Sequence, residues 1–518
     1  KDENLEKISA FKTTNTAIDI PTVPQTGKNV DQLKANLKKI KLPEGFKIEL
    51  YAVVPDARYM AVAPSTNMLF VGTRKTTVWA VTDRNGDMTA DEVKPFAPSI
   101  KFKNPNGVCW TKDGFLIVVE SNRVLNFPAA EYFYEGPDVA VITAVQEGGL
   151  IPVEEQSFNH TGRTCKVADD GKLYVTLGQP YNVQPKDKID LYNKTGIGGV
   201  IRLNPFDGSG KEVYAMGMRN PAGMDINPKD KTIWTTDNQV DGLGDDVPPG
   251  ELNRITKAGQ HFGFPYWNGH FKVAGSGAAP ELKDMKEPAG AIFPQVEFPA
   301  HQAQLGMSFY TGKQFPKKYQ GGAFIASHGS WNRTKKMGYQ VVNVPVDASG
   351  KAGEPKPFIT GWLAKDLETN RQWVVQLTPA EIEGLDTALA SARRQGLDFE
   401  TLTRENFPLP ALRATFDRVL GELEDGLGFI VLRGLPAQKY SKAELRLMYW
   451  GVGLHIGTAV SQSNRGDMLG DVRDFGVDTF SKKGRGYMSN QFLQFHSDTC
   501  DVVCLMVLRT AKQGGLSR

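Results

Sequence analysis

Cysteine is scarce in this chain: four among 518 residues, at 109, 165, 500 and 504. None has CxxC spacing, so a thiolate metal site of that kind is excluded, and the four do not read as a disulfide framework. Cys500 and Cys504 read as buried strand thiols, and the redox compartment stays open. An excess of either charge is also missing. The formal net charge is +3, which gives no general case for nucleic acid or a membrane surface as partner. No apolar run is long enough to span a bilayer. No signal peptide is visible, and a start at Lys1 rather than Met points to a processed or cut N-terminus. What remains is globular, with 40% hydrophobic and 23% charged residues, in a length that calls for two or more domains.

Residues 1–43 are polar and Lys-rich. KNVDQLKANLKKIKLP sets Val30, Leu33, Leu37 and Ile40 at helical spacing, which predicts one short helix packed on the next domain. A loose repeat follows over 44–362. Its copies are MAVAPSTNMLFVGTR, NGVCWTKDGFLIVVES, CKVADDGKLYVTLG, MDINPKDKTIWTTD and GMSFYTGKQFPKKYQGGAFIASH, about 45 to 85 residues apart. Each reads strand, turn, strand. Repeated four-stranded units at this period mean a β-propeller rather than a sandwich. Five copies are present, and no sixth follows Trp362. From residue 363 the texture changes to helices alternating with strands. TPAEIEG and SKAELRL each open with a capping box, Thr378 with Glu381 and Ser441 with Glu444. PALRATFDRVLGELEDG is a further amphipathic helix, GFIVLRGLP a buried strand and QFLQFHSD a strand ending in a polar pair. Residues 363–518 therefore read as a second, α+β domain.

Two motifs carry the chemistry. His160 lies in FNHTGRTCKV, and Arg219 with Asn220 lies in GMRNPAGMDI about sixty residues on. A polar residue just ahead of a strand in a propeller blade points at the central channel. A histidine from one blade and an Arg–Asn pair from the next can therefore face one ligand. A base beside a cation and an amide donor is what hydride removal from an alcohol requires. The plainer alternatives are a hydrogen-bonded core or surface histidine, and an arginine serving as a structural ion-pair partner. His301 and His328 flank the same face, where rim histidines are common. Asp83, Asn85, Asp87 and Asp91 alternate in DRNGDMTADE as in a calcium loop. They lack its Gly and distal Glu positions, and a solvated turn fits equally well.

Through LPEGFKIELYA, ARYMAVAP, LFVGTR, NHTGRTCKV, GMRNPAGMDINP, TTDNQVDGLGDDVPPGELN, FGFPYW, FPAHQAQLGMSFYTG and ASHGSWNR, residues of about 30–362 resemble the pyrroloquinoline quinone-dependent sugar dehydrogenases. The sorbosone dehydrogenase-like branch is the nearest. The resemblance implies a six-bladed-type propeller, its last blade missing here, with quinone and Ca2+ in the channel mouth, a sugar substrate and an electron acceptor. It implies His160 as the base that takes the sugar hydroxyl proton while hydride moves to the quinone C5. It implies Arg219 as the cation polarising the C5 carbonyl and Asn220 as a cofactor-bonding amide. Asp237, Asn238 and Gln239 match the loop whose backbone carbonyls hold the calcium. Arg333 is a candidate clamp for one of the three quinone carboxylates. Pro105 stands where relatives with glucose activity carry a cofactor-contacting glutamine, which puts cofactor affinity in question.

Through GFIVLRGLP, LHIGTAVSQS and FHSDTCDVVCLMVLRTAKQGGLSR, residues of about 362–518 resemble the N-terminal half of the taurine dioxygenase-like Fe(II)/2-oxoglutarate oxygenases. That implies a partial domain of double-stranded β-helix type with His496 and Asp498 as two ligands of a two-His-one-carboxylate iron site. No histidine follows His496, and His455 lies at a different family position and reads as structural. These residues alone predict weak iron binding and no oxygenase turnover. The propeller family is typically exported and the oxygenases cytoplasmic, so the junction at Trp362 reads as pieces of two families joined. Three functions follow: a quinoprotein aldose or sorbosone-type dehydrogenase, an iron oxygenase, or a non-catalytic ligand-binding propeller.

Overall fold

The computed structural model describes residues 20–363, 373–424, 429–458, 468–472 and 502–508. It divides into two compact units, Lys1–Leu363 and Ala364–Arg518.

Among the described residues the first unit holds five antiparallel blades. Blade 1 is Ala57–Val62, Leu69–Thr73, Val78–Thr82 and Glu92–Phe96. Blade 2 is Gly107–Trp110, Phe115–Val119, Val124–Pro128 and Ile142–Val145. Blade 3 is Cys165–Val167, Leu173–Leu177, Gly199–Leu203 and Glu212–Met216, with Gln260–His261 added in parallel outside. Blade 4 is Pro221–Ile226, Ile233–Asp237, Gly250–Ile255 and Val296–Phe298. Blade 5 is Gln304–Phe309, Ala323–Ser327, Gln340–Val344 and Lys356–Ile359. Each repeat copy read from the sequence is the first hairpin of one blade. First strands of consecutive blades lie side by side from blade 1 to blade 5.

Second strands such as LYVTL and IWTTD are buried along their whole length. Neighbouring blades cover both of their faces, which is why they read as continuous apolar and β-branched runs rather than alternating ones. The core is a series of layers between blades. Phe70, Phe96, Leu116 and Phe127 fill the first, Ile117, Val119, Leu173 and Val175 the second. Tyr174, Met218, Met224 and Ile233 fill the third, and Trp234, Leu252, Phe309 and Ile325 the fourth. First strands approach closely enough to need a glycine: a Cβ on Gly107 would stand 2.9 Å from the Arg163 carbonyl.

The chain ahead of blade 1 ties both ends of the blade series. The Val23 N–H bonds Val93 O on the outer strand of blade 1. After the predicted helix, Lys28–Leu37, residue Lys41 forms an antiparallel bridge with Thr360, just past blade 5. Phe46 then meets Phe315, Tyr319 and Phe358 at ring-centroid distances of 4.8, 5.6 and 4.9 Å.

One sequence expectation is overturned here. Cys109 and Cys165 form a disulfide between the first strands of blades 2 and 3, with Cα atoms 5.9 Å apart. They are 56 residues apart in sequence, so their spacing gave no sign of it.

In the second unit, helix Pro379–Arg394 starts at the Thr378/Glu381 capping box and helix Lys442–Ile456 at the Ser441/Glu444 box. Helix Arg413–Glu424 lies between them. Leu385, Leu389, Phe407, Leu412, Phe416 and Met448 form their shared core. GFIVLRGLP supplies only a three-residue strand, Val431–Arg433, paired in parallel with Val374–Gln376. It is half-buried rather than buried, and Phe429 is exposed. Cys504 is exposed and outside any strand, against the expectation of a buried strand thiol. Cys500, His496, Asp498 and the strand expected over QFLQFHSD lie outside the described residues. Among the described residues, no helix is long and apolar enough to cross a membrane.

Candidate active site

Residues just before a first strand and just after a second strand fall on one face of the blades. Blade 3 brings His160 and Gln179 there, and blade 4 brings Arg219, Asn220 and Asp237 to Gln239. His160 sits in the left-handed region at φ 50°, unusual for a residue with a Cβ. Its carbonyl accepts from Arg163 NH1 at 3.1 Å. Its ring Nδ1 lies 2.6 Å from Gln179 O. A carbonyl only accepts, so Nδ1 carries the hydrogen and Nε2 keeps its lone pair. Burial pushes the imidazole pKa down to about 3, helped by the guanidinium charges of Arg219, Arg163 and Arg74 and opposed by the Gln179 bond. The ring is therefore neutral across the physiological range. Gly178 lets His160 and Asn220 share this corner: a Cβ on it would meet Asn220 Oδ1 at 2.5 Å and His160 Cβ at 2.8 Å.

Arg219 is buried and held on several sides. Nε donates to Asn182 O at 2.8 Å, NH1 to Asn238 O at 3.3 Å, and NH2 to Asn182 Oδ1 and Asp241 Oδ2 at 2.8 and 2.9 Å. Burial lowers its pKa, with Asp241 and Asp237 opposing, and a guanidinium stays charged regardless. The Asp237 carboxylate accepts the backbone N–H of Arg219 at 2.8 Å and of Asn220 at 2.6 Å, which fixes the turn both belong to. Burial raises the Asp237 pKa. Its register partner Glu251 is raised too, by burial first and by the Asp237 charge second.

The other expected residues divide. Asn238 and Gln239 are buried on the Arg219 loop. Both amide atoms of Asn238, both of Gln179 and Oε1 of Gln239 have no hydrogen-bond partner. Buried amides of this kind call for a ligand or water. His301 is saturated, its Nδ1 accepting from Gln239 Nε2 and its Nε2–H donating to Gly244 O, each at 2.8 Å. His328 is exposed on the same rim. Arg333 is bonded to Lys335 O, Asp245 O, Ala300 O and Asp246 Oδ1, which places its guanidinium on the 245–246 loop. The Asp83 carboxylate accepts from the N–H groups of Gly86, Asp87 and Met88 as a closed turn would. Among the described residues, no three His, Cys, Asp or Glu side chains are grouped to hold a metal. In the second unit, His455 Nε2–H donates to Phe407 O at 2.9 Å and the ring stacks on Phe416.

Sequence reasoning missed Arg163, Gln179, Asn182 and Asp241. Arg163 stood in the His160 motif and was open to notice. The others sit on irregular loops that converge only in three dimensions. Asp241 in particular joins Arg219, Asn182 and, through Oδ1 at 2.6 Å, Asn332 of blade 5.

Residues 144–334 match the family model Glucose / Sorbosone dehydrogenase, and residues 393–518 match Taurine catabolism dioxygenase TauD, TfdA family. A protein of Borreliella burgdorferi described only as uncharacterized is 31% identical over 335 residues, covering 63% of this chain and 82% of that one. FR-33289 synthase of Streptomyces rubellomurinus is 34% identical over 164 residues. The match covers 31% of this chain and 48% of the synthase, so the chain spans about half of that relative's length. The calcium structure of a Trichoderma reesei enzyme of Carbohydrate-Active Enzymes Family AA12 shares the propeller fold. The TM-score is 0.51 at 20% identity, covering 67% of this chain and 89% of that one.

Proposed function

We propose that this chain, which belongs to the glucose/sorbosone dehydrogenase family through its propeller and carries a TauD, TfdA family domain after it, is a quinoprotein oxidoreductase that oxidises an aldose or sorbosone-type sugar. One observation carries the reading: a neutral imidazole with its lone pair on Nε2, beside a buried, fixed guanidinium. Pyrroloquinoline quinone fits the donor set. It carries three carboxylates and ring carbonyls. Arg219, Arg163 and Arg74 lie near enough to His160 to depress its pKa, and the unpartnered amides of Asn238 and Gln179 lie on the loops beside Arg219. When bound, the quinone supplies the hydride acceptor. His160 Nε2 takes the proton of the sugar hydroxyl. Arg219 and Asn220 hold the cofactor, and the Arg219 charge stabilises negative charge developing on a carbonyl oxygen. The backbone carbonyls of Asp237, Asn238 and Gln239 are the candidate calcium ligands, that of Asn238 being already engaged by Arg219 NH1. Arg333 is proposed as a cofactor residue only if it leaves its loop contacts.

The test is reconstitution with quinone and Ca2+, followed by absorbance titration and by dye reduction with a panel of aldoses. Saturable binding and sugar-dependent reduction are expected. Saturable binding with no reduction by any aldose or by sorbosone would leave the non-catalytic ligand-binding propeller. The TauD, TfdA match favours a second reading for the C-terminal domain, an Fe(II)/2-oxoglutarate oxygenase site with His496 and Asp498 as two iron ligands; these two ligands alone are expected to bind iron weakly and to give no turnover in this chain. Iron-dependent 2-oxoglutarate decarboxylation above background, lost in His496→Ala, would establish it. Its absence under saturating iron is the expected result, and turnover would require a third iron ligand, with His455 the first to test.

A further inference from the structure

Arg163 is 2% exposed, and burial alone accounts for its pKa falling to about 10. Nε donates to Ser121 O at 3.0 Å, and NH1 to His160 O and Gly178 O at 3.1 and 3.3 Å. All of these acceptors are neutral carbonyls. Other buried charges nearby have counter-charges: Arg219 has Asp241, Glu120 has Arg123 and Glu155 has Lys188. Among the described residues Arg163 has no ion pair, although an uncompensated buried charge is costly.

Arg163 lines a cleft with Ser157, Asn159, Thr161 and Gly178. Asn159 and Thr161 flank His160 in the chain, and Gly178 backs onto its Cβ, so the cleft adjoins the active site. Its hydroxyls are poised to donate. Thr161 Oγ1 already accepts from Asn104 Nδ2 at 2.6 Å and Ser157 Oγ from the Asn159 N–H at 3.0 Å, which leaves both hydroxyl protons for a ligand. The one carboxylate lining the cleft, Glu155, is taken up by Lys188 Nζ and by Tyr192 OH at 2.7 Å. A buried cation with free hydroxyl protons around it suits an oxyanion.

We propose that Arg163, Ser157 and Thr161 form a carboxylate subsite beside His160. Its occupant is the carboxylate of an acidic sugar, a uronate, or one of the carboxylates of the quinone. The subsite extends the dehydrogenase reading by naming a substrate class, and its test needs no turnover.

The wild-type protein is melted with glucuronate, with glucose and with chloride at matched ionic strength, and is separately titrated with quinone by absorbance. Ser157→Asp keeps Arg163 and its carbonyl bonds while placing a carboxylate inside the cleft, so the fold is retained. Arg163→Gln is the companion. If the occupant is a uronate, glucuronate raises the wild-type Tm, glucose and chloride do not, and the rise disappears in Ser157→Asp. If it is the quinone, its affinity falls about tenfold or more in Ser157→Asp with no response to either sugar. Should glucuronate act no differently from chloride and quinone affinity stay within about twofold in both variants, the proposal is overturned. Dye reduction by neutral aldoses with no carboxylate response sinks the subsite alone. Carboxylate binding without oxidation of any sugar sinks the dehydrogenase reading alone.

Discussion

His160 is held at both ends, its carbonyl by Arg163 and its Nδ1–H by Gln179 O, so Nε2 is presented without a choice of tautomer. If Nε2 is the base, His160→Ala leaves quinone binding nearly intact and lowers turnover by about 10²-fold or more, the usual size for a lost general base. Unchanged turnover in the reconstituted variant would rule the role out. A stability prediction follows from the same ring. Its folded pKa of about 3 lies below the ordinary 6.5, so between those values the unfolded chain binds a proton that the folded one refuses. Stability is then lost as pH falls from about 6.5 toward 3 and is fully present above that window. Chemical denaturation of wild type and His160→Gln at pH 7 and pH 5 checks it: the variant should lose less on acidification. An equal loss in both would mean the ring is not desolvated as described. The sequence revealed this residue through its place just ahead of a strand, beside a second motif with Arg219 and Asn220. The tautomer, the depressed pKa and the roles of Arg163 and Asp241 depend on loops meeting in space, and no spacing rule encodes them.

At the scale of elements, the opening hairpins of blades 1 to 4 were legible because their two strands are joined by short Asp, Gly or Pro turns, as in VADDGKLYV and INPKDKTIW. Third and fourth strands such as Gly199–Leu203 and Val296–Phe298 follow long connections that carry short elements of their own, and three-residue strands leave no periodicity to read. The exit of the second strand of blade 3 matters most for chemistry, because Gly178 there touches both His160 and Asn220. In Gly178→Ala the new methyl must displace one of them. Turnover should fall about tenfold or more, since misplacement of about 1 Å is enough to cost that much, with a stability loss of about 1–3 kcal/mol from overpacking. Wild-type kinetics in a variant of normal melting temperature would show that the corner relaxes and that the two residues need not be adjacent.

Across the propeller as a whole, blades are joined by more than the packing of their faces. The segment through Lys41 and Phe46 ties blade 5 to the chain entering blade 1, and the Cys109–Cys165 bond ties the first strands of blades 2 and 3. The bond enters the second interblade layer, since both cysteines belong to the cluster of Ile117, Leu173 and Val175. Both sulfurs are therefore shielded, and reduction should be slow unless the propeller opens. Closing a loop across a sequence separation of 56 restricts the unfolded chain by about 4 kcal/mol on the chain-entropy account. Cys109→Ser should therefore unfold at lower denaturant by about 2–4 kcal/mol, while His160 and Arg219, which lie off this layer, keep their geometry and the quinone affinity stays unchanged. Mass analysis of the purified protein under non-reducing conditions decides first whether the bond forms. Two free thiols at these positions in protein recovered from an oxidising compartment would remove the bond, and with it the expected difference between wild type and Cys109→Ser under non-reducing denaturation.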